Sequence, residues 1–274
     1  MHDFHIHTHY SSDSRETMEA HIQQAIQLNL KEICFTDHVE FDPAPPFVEE
    51  FPDVKAYSAE IKRLQEMYKN KLQIRKGCEI GYQPHVLDRM NAYATSTDFD
   101  FIIASLHGVD KLDLHTGPYF KGKTQEEAAT RYFEAYYQCV KDNPIYSVLG
   151  HFDLLKRYEP FDGTKLFKDN YDIIKTTFQL LISNGKGIEI NTSGHRYRLG
   201  HTLPTLDILK LYKQLGGEII TTGSDAHRKQ DLAMEFDGAH ALLREAGFDY
   251  YTRFEGMKPE FVSLDEQKKI LKYA

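Results

Sequence analysis

The sequence predicts an α/β fold: a parallel, TIM-like barrel forming a single domain over residues 1–274. Three observations lead there. Short apolar runs alternate with longer stretches of helical spacing along the chain, the βαβα pattern of a parallel sheet. No low-complexity linker or internal repeat divides it. A length of 274 residues also suits an α/β barrel closed around one core. In order, the strand candidates are Asp3–His7, Glu32–Asp37, Gln73–Ile80, Phe101–His107, Ile145–His151, Gly187–Asn191 and Glu218–Ser224, with Tyr250–Phe254 a weaker eighth. The proline-bearing stretch Asp42–Pro52 reads as an exposed, lid-like loop. The clearest helix opens at Thr124, where Glu127 three residues on completes a capping box. Its residues Ala128, Ala129, Tyr132, Phe133, Tyr136, Tyr137 and Val140 recur at helical spacing and predict one buried stripe, so its aromatics read as core packing.

Composition excludes several functions. The chain carries 33 Lys plus Arg against 41 Asp plus Glu, a formal net charge of −8, which argues against a nucleic-acid binder. No apolar run approaches the roughly 18 residues of a membrane helix. The opening MHDFHIHTHY lacks the basic and apolar regions of a secretory signal, which predicts a cytoplasmic protein. Cys34, Cys78 and Cys139 are odd in number and widely spaced, as expected of reduced thiols. With 14 His against those three cysteines, a metal site here would be built from imidazole and carboxylate.

The chemistry gathers where the strands stop. His5 and His7, at i and i+2, share one face of an extended chain and can bind one ion together. The next ends are Thr36-Asp37-His38, Cys78-Glu79-Ile80-Gly81, Ser105-Leu106-His107-Gly108 and Gly150-His151-Phe152-Asp153. The sixth is Ile190-Asn191-Thr192-Ser193-Gly194 and the seventh Gly223-Ser224-Asp225-Ala226-His227. In a parallel barrel these ends converge on one face, so ligands scattered along the sequence meet in one pocket. A lone His at a strand end is ordinarily a surface or hydrogen-bonded residue; agreement at six of seven ends is the argument for metal. His21, His85, His115, His201 and His240, in helices or loops, read as structural, and His9 and His195 lie near the motifs without a clear ligand slot.

These motifs resemble the PHP (polymerase and histidinol phosphatase) superfamily over almost the whole chain. His5-Ile6-His7-Thr8, Gly77-Cys78-Glu79-Ile80-Gly81, Gly150-His151-Phe152-Asp153 and Glu189-Ile190-Asn191-Thr192-Ser193-Gly194 are similar to those of its stand-alone histidinol-phosphate phosphatases. The resemblance implies a distorted (β/α)7 barrel with two to three divalent ions, zinc, manganese or iron. It assigns His5, His7, Glu79 and Asp225 to one ion, Glu79, His107 and His151 to a second with Glu79 bridging, and His38 and His227 to a third. Many relatives carry a further His eight residues after the first; here that position is Asp13, a ligand that favours a harder ion, or otherwise a turn residue in Ser11-Ser12-Asp13-Ser14.

Three such ions, offset by Asp13, Glu79, Asp225 and a bridging hydroxide, would leave about two positive charges, which a phosphate monoester dianion neutralises and a neutral amide does not. Arg157 and Arg196, beyond strand ends, match the phosphate-binding arginines of the family by position, and a guanidinium fork suits phosphate oxygens. Asn191 and Ser193 are candidate partners of the substrate or of the ligands, and Asp225 is the candidate for orienting the hydroxide or passing a proton to the leaving alkoxide. The expected activity is hydrolysis of the small phosphate monoester L-histidinol phosphate, in histidine biosynthesis. The alternatives are a PHP phosphoesterase for another small phosphate ester, such as a nucleotide or sugar phosphate, or a non-catalytic metal-binding PHP module. An amidohydrolase also opens with His-x-His, but it would usually place its bridging residue on the fourth strand and its Asp on the eighth; here Glu79 lies on the third and Asp225 on the seventh.

Overall fold

The computed structural model describes residues 1–265, so the last nine positions of the predicted 1–274 domain lie outside the described residues. Its strands are β1 (His2–Ile6), β2 (Glu32–Phe35), β3 (His38–Val39), β4 (Gln73–Gly81), β5 (Phe101–Ser105), β6 (Gly108–Val109), β7 (Leu112–Asp113), β8 (Val148–Leu149), β9 (Gly187–Asn191), β10 (Ile220–Gly223), β11 (Tyr250–Glu255) and β12 (Lys258–Ser263). Seven of them follow one another in parallel, in the order β1-β2-β4-β5-β8-β9-β10. A parallel bridge between Ile6 and Ala226, just beyond β10, brings the two edges together, and the result is a nearly closed, irregular barrel. β2, β5, β8, β9 and β10 are buried along their whole length, as strands covered by helices on one side and barrel interior on the other must be.

Helices fill the crossovers. The helix Gln125–Asp142 has the predicted capping box, with Thr124 Oγ1 accepting from Glu127 N and the Glu127 carboxylate accepting from Thr124 N. Its stripe, including Tyr132, Phe133 and Tyr136, is buried except for Tyr137, which is half-buried at its margin, and Tyr136 and Phe133 pack on Phe152 with ring centroids 4.7 and 5.4 Å apart. Replacing Thr124 with alanine removes only a cap; the burial of the stripe holds this helix to the barrel.

Two expectations change. Tyr250–Phe254 is not an eighth barrel strand: β11 pairs antiparallel with β12, from Tyr250 opposite Ser263 to Glu255 opposite Lys258. The cause is local. Gly256 and Met257 both take positive φ, 53° and 62°, which makes a two-residue hairpin turn and leaves no room for a crossover helix. This hairpin places Phe254 with Phe4, Cys34, Phe101, Ile103 and Val148, in a small apolar core distinct from the main one. The fifth strand is also shorter than predicted, Val148–Leu149 rather than Ile145–His151. At its end Gly150 is obligatory, because a Cβ there would overlap Ser105 Oγ and Ile103.

Two further details aim side chains at the centre. The register of β1 on β2 shifts between Asp3 and Ile6, an irregularity of the kind that redirects side chains next to active sites. The two-residue β3 pairs with β4 so that His38 lies opposite Glu79.

Candidate metal centre

The C-terminal strand ends bring the predicted ligands together. His5 Nε2 and His7 Nε2 lie 3.0 Å apart, and each is 3.4 Å from Glu79 Oε2. Asp225 Oδ1 completes the group at 3.9 Å from His5 Nε2 and 3.5 Å from His7 Nε2. Around an ion with ligand bonds of about 2.1 Å, tetrahedral ligands stand roughly 3.4 Å apart, so this spacing fits a metal without rearrangement. The other oxygen of the same carboxylate, Glu79 Oε1, faces His151 Nε2 at 2.9 Å and His107 Nε2 at 3.4 Å, so one side chain faces two ligand groups. His38 Nδ1 is 3.0 Å from Glu79 Oε2, and its Nε2 is 3.6 Å from Asp13 Oδ2, which in turn lies 2.9 Å from His227 Nε2. Asp13 is the most exposed of these candidates and stands outside the compact groups that could hold an ion, which are His5-His7-Asp225, His5-Glu79-His151, His38-Glu79-His107 and His7-His38-His227.

The electrostatics suit a site that attracts cations. Burial alone would raise the Glu79 carboxyl, but His5 and His107 hold it well below the usual range. Asp225 is likewise opposed by burial and held well down by His5, Arg157 and His227. Burial lowers His5, yet Glu189, Glu79 and Asp225 outweigh it and hold the imidazole well above its ordinary value. His107, also opposed by burial, is pushed up to about 10 by Glu79 and Glu40. Protons and metal ions compete for the same nitrogens, so carboxylates that draw protons onto imidazoles also favour metal there.

Several residues beneath the ligands were not assigned a role from sequence. Glu189 Oε1 takes His5 Nδ1 at 2.6 Å, and its Oε2 accepts from His151 N at 2.9 Å. Glu40 Oε1 takes His107 Nδ1 at 2.5 Å. Each bond leaves the opposite ring nitrogen, Nε2, free to face the centre. Glycines make room for both: a Cβ on Gly223 would overlap the Glu189 carboxylate, and one on Gly81 the Glu40 carboxylate. Glu189 had a sequence signal, a charge inside the wholly buried strand Gly187–Asn191 that must have a partner. Glu40→Gln keeps the shape and removes the charge, and, with His107 as a metal ligand, should weaken metal retention about 10- to 100-fold in chelator competition. Wild-type retention would show the pair to be incidental.

The predicted substrate residues divide. Arg157 Nη2 donates to Asp225 Oδ2 at 3.0 Å and to Ser193 Oγ, its guanidinium lies 4.1 Å from the centroid of the Tyr197 ring, and its buried Nε has no acceptor. Arg196 instead donates to the carbonyl oxygens of Ser224 and Asp225, at 3.1 and 2.6 Å, holding Asp225 in a left-handed conformation with φ 54°. Asn191 donates to Glu189 Oε2 at 3.1 Å and accepts from Ser193 Oγ at 2.5 Å, so both lie behind the ligands. A cavity of about 370 Å³ opens over the centre and is lined by Arg157 but not by Arg196, Asn191 or Ser193. His115, read from sequence as structural, lines this cavity.

A family model described as PHP domain matches residues 3–193. The chain belongs to the PHP domain family. This PHP chain is 35% identical to a histidinol-phosphatase of Lactococcus lactis, over 98% of both chains, and 27% identical to a probable histidinol-phosphatase of Clostridium acetobutylicum, over 99% of both. Its fold matches the crystal structure of the Lactococcus lactis histidinol phosphate phosphatase complexed with zinc, L-histidinol and phosphate, with a TM-score of 0.84 and 32% identity, covering 94% of this chain and 98% of that one. The PHP fold here is thus the expected distorted (β/α)7 barrel, and no helix among the described residues is long and apolar enough to cross a membrane.

Proposed function

We propose that this chain is a metal-dependent phosphomonoesterase that hydrolyses L-histidinol phosphate to L-histidinol and phosphate, a reaction of histidine biosynthesis, in the cytoplasm. The observation that carries the reading is a carboxylate, Glu79, that faces two groups of metal-type ligands, with the Arg157 guanidinium on the neighbouring carboxylate Asp225, in a chain similar over nearly its full length to a histidinol-phosphatase. Three buried free cysteines are compatible with a reducing compartment.

In this reading His5, His7, Glu79 and Asp225 would hold one divalent ion, Glu79, His107 and His151 a second, and His38, His227 and Asp13 a third, with zinc, manganese or iron as the metals. Bound divalent ions supply Lewis acidity to the phosphoryl oxygens and make water acidic near neutral pH. The protein's own part begins with Arg157, whose charge is permanent and whose side chain lines the cavity as a donor for a phosphoryl oxygen. Tyr197 covers one face of that guanidinium, and Ser193 and Asp225 fix its orientation. Asp225, with Oδ2 held by Arg157, would orient the attacking water or pass that water's proton to the leaving alkoxide as the ester bond breaks. Arg196 acts at one remove, by fixing the backbone of Asp225.

The test is a panel of phosphate monoesters assayed on protein whose metal content is measured in the same preparation. The highest kcat/KM should fall on L-histidinol phosphate. A leading rate on a sugar or nucleotide phosphate would change the substrate, and a fully metallated but inactive protein would leave a binding module. Within this assignment Asp13→Ala should release one ion selectively, and Asp13→His should keep the site filled and shift it towards zinc. An Asp13→Ala protein that retains every wild-type ion after chelator dialysis would return Asp13 to the role of a turn residue.

A further inference from the structure

We propose that the outer part of the cavity selects the organic half of the substrate, with Glu50 receiving its ammonium group and Phe47 with His115 holding its imidazole ring. The inference rests on the hydrolysis of L-histidinol phosphate proposed above and names the groups that distinguish that ester from others.

The cavity changes character from the centre outward. Its inner wall is the ligand cluster and Arg157; its outer wall is the loop Pro43–Val48 together with His115, Tyr158 and Tyr197. That loop is anchored at both ends of its base. Glu40 N donates to Glu50 O at 2.7 Å and Glu50 N to Glu40 O at 3.1 Å, while Arg89 forks onto Glu49 at 2.6 and 2.8 Å with its guanidinium 4.6 Å from the Phe41 ring. Its tip carries apolar side chains that the protein itself does not cover: Phe47 is 44% exposed and Val48 77%. The Phe47 ring lies 6.2 Å from His115, and His115 5.5 Å from Tyr158. Rings arranged in this way at the mouth of a polar cavity offer faces to a planar ligand.

The carboxylates of the wall single out Glu50. Asp13, Glu40, Glu79 and Asp225 each face an imidazole or guanidinium already described. Asp113 has no ion pair among the described residues, but it is held by two bonds at Oδ2, from the backbone and the hydroxyl of Thr116, where Glu50 has one. Glu50 accepts one bond, from Ser12 N at 3.2 Å, and no Lys, Arg or His among the described residues forms an ion pair with it. A carboxylate in a ligand cavity with free acceptor capacity and no cation suits a primary ammonium. Its backbone is fixed by the Glu40 bridge, so little ordering is needed when the ligand arrives.

Two probes separate this site from the phosphate site: L-histidinol, which lacks the phosphate, and inorganic phosphate, which lacks the rest. Glu50→Gln should raise the inhibition constant of L-histidinol roughly ten- to hundredfold, the effect of losing one charge-assisted bond, and move that of phosphate by less than about threefold. The ratio of kcat/KM for L-histidinol phosphate to that for 3-(imidazol-4-yl)propyl phosphate, which lacks the amine, should fall by a similar factor. Phe47→Ala should weaken L-histidinol about tenfold while leaving that ratio unchanged. A Glu50→Gln loss equal on both esters, or unchanged inhibition by L-histidinol, would overturn the assignment alone. A wild type with no preference for L-histidinol phosphate would remove the functional reading and this assignment with it.

Discussion

Replacing Glu79 with alanine should lower turnover by about a thousandfold or more and reduce bound metal by at least one ion per chain. Losing an outer partner of a metal ligand typically costs 10- to 100-fold, and Glu79 is itself placed as a ligand, with its two oxygens on opposite sides. Oε2 faces His5 and His7, Oε1 faces His107 and His151, and Ser105 Oγ donates to Oε1 at 2.6 Å. Without the carboxylate, two divalent ions would share a buried space with no anion between them, and their repulsion favours release of one. Metal analysis and kcat on the same preparation make the measurement, with circular dichroism to show that the barrel is intact. Normal turnover with normal metal content would remove the bridge from the mechanism.

Arg157→Ala carries the second large effect. Its kcat/KM should drop by about one to three powers of ten, because a charge-assisted bond to a buried anion is worth about 1.5–3 kcal/mol or more and each 1.36 kcal/mol is tenfold. The metals should stay, and inorganic phosphate should inhibit more weakly. Arg196→Ala makes the contrast: its guanidinium contacts backbone carbonyls rather than the cavity, so kcat should fall through a misplaced Asp225 while phosphate inhibition stays closer to wild type. Undiminished phosphate inhibition in Arg157→Ala would place the phosphoryl group elsewhere.

Much of the fold can be read in the sequence because each barrel strand is a short apolar run that ends in a polar cluster. Gly187–Asn191 is the clearest case, where prediction and structure share both boundaries. Two-residue strands such as His38–Val39 carry no periodicity, so nothing in the sequence announces that His38 will lie opposite Glu79. Tyr250–Phe254 has the composition of a barrel strand, and the hairpin turn at Gly256-Met257 overrides it. The candidate ligands could be found because strand ends converge by topology. Glu40, Glu50, Phe47 and His115 could not, since they belong to loops whose path over the barrel is set by particular contacts, such as Arg89 with Glu49 and Glu40 with Glu50. Arg157 and Arg196 both follow strand ends, yet only the three-dimensional path of the chain separates the one on the cavity from the one on the backbone.

The hairpin beneath the barrel bears on how material moves through the enzyme. Phe254, packed on Phe101 with ring centroids 5.1 Å apart, fills an apolar core with Phe4, Cys34, Ile103 and Val148, none of which lines the cavity under the Pro43–Val48 loop, so ligands enter and leave that cavity from the loop side. Reactant and both products then share one doorway. With the phosphoryl group beside Arg157 and the alcohol above it, as proposed, the alcohol would leave first and orthophosphate last, from the seat that the next ester needs. Under that placement orthophosphate competes with the incoming ester for one seat, so inhibition by inorganic phosphate should be competitive without any separate regulatory site.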